Sequence, residues 1–209
     1  YYNIPFHSDG VQAIGRIKID FFKLGIDMLT LSSHKLGGPN GAGALIVSSK
    51  SKILKPLFLG GHQEDSLRSG TEPLLSIAGF GEAAKLIDIN KMVQLKELRK
   101  QYEKKLKSLN LGIQIIGENS NRLPNTFMIY VPNINAENLL IALDMEGFEV
   151  STGSACSSGK AEPSKVVINM GYSMLIASSV IRISLGLYNN VQEVEKFVDA
   201  LIKIINRFK

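Results

Sequence analysis

Lys35 is the side chain of this sequence whose neighbours best suit covalent chemistry. It follows the apolar run "IDMLTLSS" (26–33) and precedes the glycine-rich run "LGGPNGAG" (36–43), where the backbone could approach a ligand closely. An amine in such a position suits Schiff-base chemistry. Ser32 and His34 stand beside it and could bind a phosphate group. The alternative interpretation is an ordinary surface lysine in a turn.

Asp9 closes an earlier strand-like run, "NIPFHSD" (3–9), 26 residues before Lys35. In a doubly wound sheet, neighbouring strands bring such positions together at the carboxyl edge, where ligands bind. Pyridoxal 5'-phosphate (PLP) needs a carboxylate on its ring nitrogen, which keeps that nitrogen protonated and makes the ring an electron sink. Taken alone, Asp9 could equally be a turn or cap residue. Together with Lys35 it indicates a PLP site.

Cys156 is the only cysteine and lies in "TGSACSSG" (152–159). A single cysteine excludes an internal disulfide and indicates a reducing compartment. The run of small residues around it has no apolar pattern, which predicts a mobile loop and a reactive thiol. The alternative is a buried cysteine that packs as a small hydrophobic residue.

Three strand-like runs must position Asp9 and Lys35: residues 3–9, 26–33 and 41–47. Short helical or turn segments separate them, which predicts a parallel α/β sheet. Three strands are few for a parallel sheet that needs both faces covered. Because the first residue is a tyrosine and not a methionine, we expect the chain to start inside a domain whose upstream part is missing.

The second part of the chain has a different pattern. Residues 73–109 are continuously helical in pattern, and we place a domain boundary near residue 90. A smaller α+β unit follows, with strands at "IQII", "NTFMIYV" and "VIRISLG" and a helix at 136–147. Asn190 and Glu193 have the spacing of a capping box. The helix they begin has an apolar stripe made of Val191, Val194, Phe197, Val198, Leu201 and Ile205.

Composition excludes several classes of protein. The 209 residues carry a net charge of +5, and 44% of them are hydrophobic. The most basic run, "KELRKQYEKKLK" (96–107), is interleaved with two glutamates, so it predicts a solvated helix face and not a nucleic-acid site. No apolar stretch reaches membrane-spanning length and no signal-peptide pattern is present, so we expect a cytoplasmic protein without membrane or nucleic-acid partners.

Four segments resemble, in order and spacing, the successive signatures of NifS/IscS-type cysteine desulfurases, which belong to the class V branch of aminotransferase-fold PLP enzymes. They are "HSDGVQAIGRIKID", "DMLTLSSHKLGGPNGAGAL", "GGHQEDSLRSGTEP" and "STGSACSSGKAEPS". The resemblance implies an α/β fold that covers only the carboxyl-terminal part of the family. Residues 1–90 would be part of a type I (aspartate aminotransferase-like) large domain with a parallel sheet. Residues 91–209 would be a small α+β domain carrying the catalytic cysteine loop.

The resemblance implies a role for each residue of the cofactor site. Lys35 would hold PLP covalently as the internal aldimine. Asp9 would pair with the pyridine nitrogen, and Gln12 would donate a hydrogen bond to the phenolic oxygen. Ser32 and His34 would bind the phosphate. No metal ion is implied.

Three further residues would act on the substrate or come from a neighbouring chain. Thr71 of "RSGT" would join the phosphate site from a partner subunit. Arg182 in "SVIRISLG" would hold the carboxylate of L-cysteine, for which a guanidinium fork is suited; the alternative is a surface ion pair. The Cys156 thiolate would attack the substrate sulfur, so that alanine leaves and a persulfide remains.

The same resemblance implies the partners. The length of the segment from Cys156 to Ser164 is similar to that of the long-loop group, which hands sulfur directly to scaffold proteins. The expected partners are L-cysteine, a sulfur-acceptor or iron–sulfur scaffold protein, and either a second copy in a homodimer or a separate amino-terminal half. Sulfur for iron–sulfur cluster assembly, or for another transfer, is the implied product.

The sequence also departs from the family pattern. Pro73 stands where asparagine is usual, and Leu187 stands where arginine is common. The family's upstream half, with a histidine that stacks on the PLP ring, has no counterpart, because His7 and His62 match other positions. We therefore expect this chain by itself to fold at least in part but to fail as a desulfurase.

Two alternatives remain open. The chain could be a catalytically inactive remnant or interaction module of the same fold, or another class V PLP enzyme such as a selenocysteine lyase. The joint presence of Asp9, Lys35, Cys156 and Arg182 favours enzyme ancestry, and the "GSACSSG" loop favours cysteine as the substrate.

Overall fold

The computed structural model describes residues 4–49, 54–152 and 162–208, and the chain divides into two compact units. The first unit is Tyr1–Ile89 and the second is Asn90–Lys209. Within the described residues, no helix is long and apolar enough to cross a membrane.

The first unit is built on a three-stranded sheet in the order β1-β2-β3. Its elements are β1 (His7–Asp9), α1 (Phe21–Leu24), β2 (Met28–Ser32), a 3-10 turn (Ser33–Leu36), β3 (Gly43–Val47), a second 3-10 turn (Gln63–Ser66) and α2 (Leu74–Lys85). Its core consists of Ile26, Leu29 and Leu31, with Phe80 of α2 among the partly buried side chains packed against it. The alternation of buried and half-buried residues along β2 gives the sheet one apolar face.

The direction of β3 differs from the parallel sheet predicted from the sequence. The β1 and β2 strands pair in parallel, with Asp9 opposite Thr30, as expected. The β2 and β3 strands pair antiparallel, with Ser32 opposite Gly43. The reason is the short connection between them, since a parallel pairing needs a crossover of a dozen or more residues.

The second unit is a four-stranded antiparallel sheet, ordered β4-β5-β7-β6 and flanked by helices. Its elements are α3 (Ile89–Ser108), which begins at the boundary, β4 (Gln114–Ile115), β5 (Thr126–Tyr130), α4 (Ala136–Met145), β6 (Ser151–Thr152), α5 (Lys165–Asn169), α6 (Met174–Ala177), β7 (Val180–Ser184) and α7 (Val191–Arg207). One face of the sheet packs against α3, α4 and α7 and forms the larger core. The opposite face packs against α5 and α6 in a smaller cluster.

The continuous helical segment predicted over residues 73–109 is two helices. The α2 helix ends where the amide of Leu86 donates to the carbonyl of Glu82 and that of Ile87 to the carbonyl of Ala84. Asp88 then precedes α3, and aspartate is one of the residues that most favours a helix start.

Two other predictions for helices are tested by the structure. The capping box of α7 is confirmed, because Asn190 accepts from the first turn and its amide donates to the Glu193 carboxylate at 3.1 Å. Within the predicted apolar stripe, Val191 is the exception and is 56% exposed. The basic run 96–107 is only partly a solvated face, because Arg99 and Glu103 are buried, at 6% and 8% exposure.

Candidate functional site

Lys35 lies in the 3-10 turn that follows β2 directly. The turn is closed by Gly37, whose left-handed backbone (φ 83°) lets its amide donate to the carbonyls of Ser33 and His34. The amide of Gly38 also donates to the carbonyl of Ser33, at 3.1 Å. Lys35 is half-buried, so its amine is carried on a compact, hydrogen-bonded turn.

Asp9 ends the neighbouring parallel strand at the same edge of the sheet. Its Oδ1 accepts from the amide of Val11 at 2.8 Å, and the amide of Gly10 donates to the Thr30 carbonyl at 2.9 Å, which ties the end of β1 to β2. Because the two strands are parallel and adjacent, their carboxyl ends bring Asp9 and the Lys35 turn to one edge.

The other predicted cofactor residues are arranged around this edge to different degrees. Ser32 Oγ and His34 Nδ1 are 2.8 Å apart and hydrogen-bonded, so the hydroxyl and the imidazole form one polar pair beside Lys35. Gln12 is exposed in the turn after β1 and accepts from Arg16 through its backbone carbonyl, at 2.9 Å. Thr71 is exposed between the second 3-10 turn and α2, and no hydrogen bond joins it to the Lys35 turn within the described residues.

Arg182 lies in the second unit, in the middle of β7. It stands between Met128 of β5 and Ser151 of β6, on the sheet face opposite the larger core. The half-buried side chain lines a cleft of about 370 Å³ whose other walls include Val166 of α5 and Met170, the residue that follows this helix. Across residues 4–49, 54–152 and 162–208, no hydrogen bond or ion pair engages its guanidinium.

An ion cluster of the half-buried Arg122 with the buried Arg99 and Glu103 stands at the rim of the same cleft. Arg122 and Leu123, in the connection between β4 and β5, line it. Arg122 donates to both carboxylate oxygens of Glu103, at 2.8 and 3.3 Å, and Arg99 donates to the Leu123 carbonyl. The pKa of Arg99 is lowered, because the effect of burial is larger than the opposing effect of the nearby Glu103 carboxylate. The cluster therefore fixes this connection onto α3 with two cations around one carboxylate.

Comparison with known proteins decides the family. The family model for aminotransferase class V matches residues 1–197. The chain belongs to the aminotransferase class-V family. Cysteine desulfurase IscS of Dictyoglomus turgidum is 39% identical over 211 residues, covering 100% of this chain and 53% of that protein. A cysteine desulfurase of Enterobacter agglomerans is 37% identical over 208 residues, covering 99% of this chain and 52% of that protein.

The fold comparison agrees with the family. The crystal structure of a NifS-like protein from Rickettsia africae matches with a TM-score of 0.86 and 43% identity, covering 97% of this chain and 54% of that chain. The predicted α/β fold and the predicted resemblance to NifS/IscS proteins are therefore confirmed. The chain spans about half the length of the curated relatives it matches.

Members of this class-V family use PLP, and the residues at the edge of the first sheet fit that group. An amine for its aldehyde, a carboxylate for its ring nitrogen, and a hydroxyl–imidazole pair for its phosphate come from Lys35, Asp9, Ser32 and His34. Among the described residues, no group of three or more His, Cys, Asp and Glu side chains could hold a metal ion.

The sequence and the described structure each identify a part of the site that the other does not. Cys156, predicted as the nucleophile, lies outside the described residues. The Arg122–Glu103 pair at the rim of the cleft was not identified, because its members are 19 residues apart and no local pattern connects them. A glutamate one turn after an arginine in α3 was the available signal, since Arg99 and Glu103 have i,i+4 spacing.

Proposed function

We propose that this chain is part of a PLP-dependent cysteine desulfurase, which converts L-cysteine to L-alanine and keeps the sulfur as a persulfide on Cys156. The observation that carries the proposal is the meeting of Asp9, Ser32, His34 and Lys35 at the carboxyl ends of two parallel strands. In the same proposal, residues 1–90 are a portion of the cofactor-binding large domain and residues 91–209 are the small domain.

The first unit supplies the groups that bind the cofactor. Lys35 would hold it through the Nζ amine, and Asp9 would be the carboxylate that keeps its ring nitrogen protonated. Ser32 and His34 would bind its phosphate, joined by Thr71 of a second copy in a homodimer, and Gln12 would donate to its ring oxygen. When bound, the cofactor supplies an electron sink for the bonds around the substrate's α carbon.

The second unit supplies the groups that bind and receive the substrate atoms. Arg182 would hold the carboxylate of L-cysteine, a role that its position in the wall of the cleft supports. Lys35 Nζ, from the first unit, would act as the base that takes the α proton. The Cys156 thiolate attacks the substrate sulfur, so a sulfur–sulfur bond forms while the carbon–sulfur bond breaks. L-cysteine and the thiol thus become L-alanine and a persulfide, with no external oxidant.

The persulfide sulfur would pass to an acceptor, for which a sulfur-carrier or iron–sulfur scaffold protein has the required nucleophilic groups. This step depends on Cys156 and is separate from cofactor binding. Cys156→Ser in the full-length protein should therefore keep the absorbance of bound PLP and abolish persulfide formation. Sulfide production at the normal rate by that variant would contradict the assignment of Cys156.

The test of the proposal as a whole is the identity of the labelled lysine. Borohydride reduction of the full-length protein loaded with PLP, followed by peptide mapping, should find the pyridoxyl group on Lys35. Lys35→Arg should remove the label and lower kcat by about 10²-fold or more, because a positioned acid–base group contributes about 10²–10⁴-fold. Lys23→Arg is the matched control, since Lys23 is an exposed lysine of the same unit. A label on any lysine other than Lys35 would overturn the proposed function.

A further inference from the structure

The face of α2 that meets the Lys35 turn is made of small residues. The helix packs directly against the turn, and Gly79 and Ala83 lie one helical turn apart on the side that faces it. Ala83 Cβ stands 3.2 Å from where a β carbon of Gly38 would be. Phe80 of the same helix packs against the core of the first unit, which fixes the helix in place.

The contact at Gly79 leaves no room for a side chain. A methyl group at this position would lie 2.5 Å from Cγ and 2.7 Å from Cδ of Pro39. Pro39 cannot turn these atoms aside, because they belong to its ring. Either the helix or the backbone of the turn would have to move.

A displacement of Pro39 would affect Lys35 through Gly38 and the hydrogen bond that joins Gly38 to Ser33. Gly38 precedes Pro39 and donates its amide to the carbonyl of Ser33. The Ser33 side chain is fully buried, and its hydroxyl makes no hydrogen bond within the described residues. A β carbon on Gly38 would collide with that hydroxyl. The Ser33 side chain is therefore held by packing, while its carbonyl is tied to Gly38, two residues before Lys35.

We propose that Gly79 is a positioning residue for Lys35: the absent side chain at residue 79 lets α2 seat Pro39 and so sets where the Lys35 amine stands relative to Asp9 and Ser32. The inference rests on the proposed function, in which Lys35 carries the cofactor. By this inference, a glycine of α2 that is remote from the polar groups of the site controls the covalent attachment of the cofactor to Lys35.

The chain offers a matched control on the same helix. Gly81 lies two residues further along α2, and a β carbon there would meet nothing within 4 Å. Alanine stabilises a helix more than glycine does, and to the same degree at both positions. The difference between Gly79→Ala and Gly81→Ala therefore isolates the contact with Pro39.

The measurement is PLP affinity of the full-length apoprotein, together with borohydride labelling of Lys35 and thermal unfolding. Gly81→Ala should behave as the wild type. Gly79→Ala should bind PLP roughly tenfold more weakly or worse and give less Lys35 label, because a misplacement of about 1 Å can cost two orders of magnitude in reactivity. Pro39→Ala in the Gly79→Ala background should restore affinity and label. It removes both crowding atoms and leaves a Cβ that is 3.9 Å away.

The outcomes separate the inference from the proposed function. A wild-type label on a lysine other than Lys35 overturns both. A wild-type label on Lys35 with unchanged affinity in Gly79→Ala overturns the inference alone. If Gly79→Ala does not fold, the double variant decides: a folded double variant that binds PLP as Pro39→Ala does supports the inference, and one that does not contradicts it.

Discussion

Among single residues, the inward-facing side chains of α3 show most clearly how burial shifts the pKa of an ionisable group. Tyr102 contacts the rings of Phe127 and Phe197, at centroid distances of 5.8 and 5.6 Å. Burial, with a smaller contribution from the Glu193 carboxylate, raises the pKa of Tyr102 from 10.0 to about 12. The folded state therefore favours the neutral phenol.

The raised pKa of Tyr102 predicts a loss of stability in strong base. A group whose pKa is higher when folded contributes stability that is complete below its unfolded pKa, near 10, and is lost as the pH rises to about 12. Between pH 9 and pH 12, we expect the unfolding free energy of the wild type to fall by about 2 to 3 kcal/mol relative to that of Tyr102→Phe. The figure corresponds to about 1.4 kcal/mol per pKa unit. Denaturant unfolding across that range measures it. Tyr188→Phe, at an exposed position, should keep the wild-type pH dependence.

Glu103 on the same helix should be among the costliest single residues to neutralise. It is the carboxylate to which the buried Arg99 and the half-buried Arg122 are both paired. Glu103→Gln should destabilise the second unit by about 3 kcal/mol or more, because removal of one partner leaves buried charge uncompensated. Chemical denaturation of the intact chain measures this loss.

The control for Glu103 is another glutamate of α3. Glu97 pairs with Lys100 at 2.7 Å, but both side chains are more than half exposed. Because exposed pairs contribute little, Glu97→Gln should leave the unfolding midpoint unchanged. Equal losses in the two variants would show that burial of the cluster does not determine its contribution.

At the scale of the element, α7 depends on its first turn. The Asn190 side chain accepts from the Gln192 amide at 3.0 Å, and Glu193 closes the reciprocal bond. Asn190→Ala should cost about 1 kcal/mol of unfolding free energy, the usual value for a lost N-cap. Asn206→Ala, in the last turn of the same helix, is the control and should have little effect. A neutral Asn190→Ala would mean that packing of the apolar stripe alone sets the start of α7.

The same elements show what the sequence could and could not predict. The start of α7 was predictable because a capping box and an apolar stripe are both local signals. The direction of β3 was predicted wrongly, because the alternation of strands with helical segments was given more weight than the short connection from β2, which favours antiparallel pairing. The break between α2 and α3 was missed because leucine, isoleucine and aspartate fill it and no glycine or proline marks it.

The candidate site also contains features that the sequence predicts and features that it does not. Asp9 and Lys35 could be placed at one sheet edge, because each follows an apolar run and parallel strands end together. The Gly79–Pro39 contact could not be predicted, since the two residues are 40 positions apart and only the packing of α2 joins them. Likewise, the pairing of Arg122 with α3 depends on tertiary structure that no local pattern encodes.

At the scale of the whole molecule, the two units differ in how much apolar surface they bury. The larger core of the second unit joins three helices and three of its strands, and includes the fully buried side chains of Ile129, Leu139 and Leu201. The core of the first unit is three buried residues with partly buried neighbours. Several of its large apolar side chains stay exposed, including Phe22 and Leu75, each at 90%.

This contrast predicts that the two units open with different free energies. Amides of β5, β7 and α7 pack over the larger core and should exchange only on global unfolding of the second unit. Amides of β1, β2 and β3 should exchange at least about a hundredfold faster, which corresponds to roughly 3 kcal/mol. Hydrogen exchange of the intact chain, followed by mass spectrometry of peptides, measures both groups in one sample. A single common exchange rate would show that the units unfold together and that the small core of the first unit does not limit its stability.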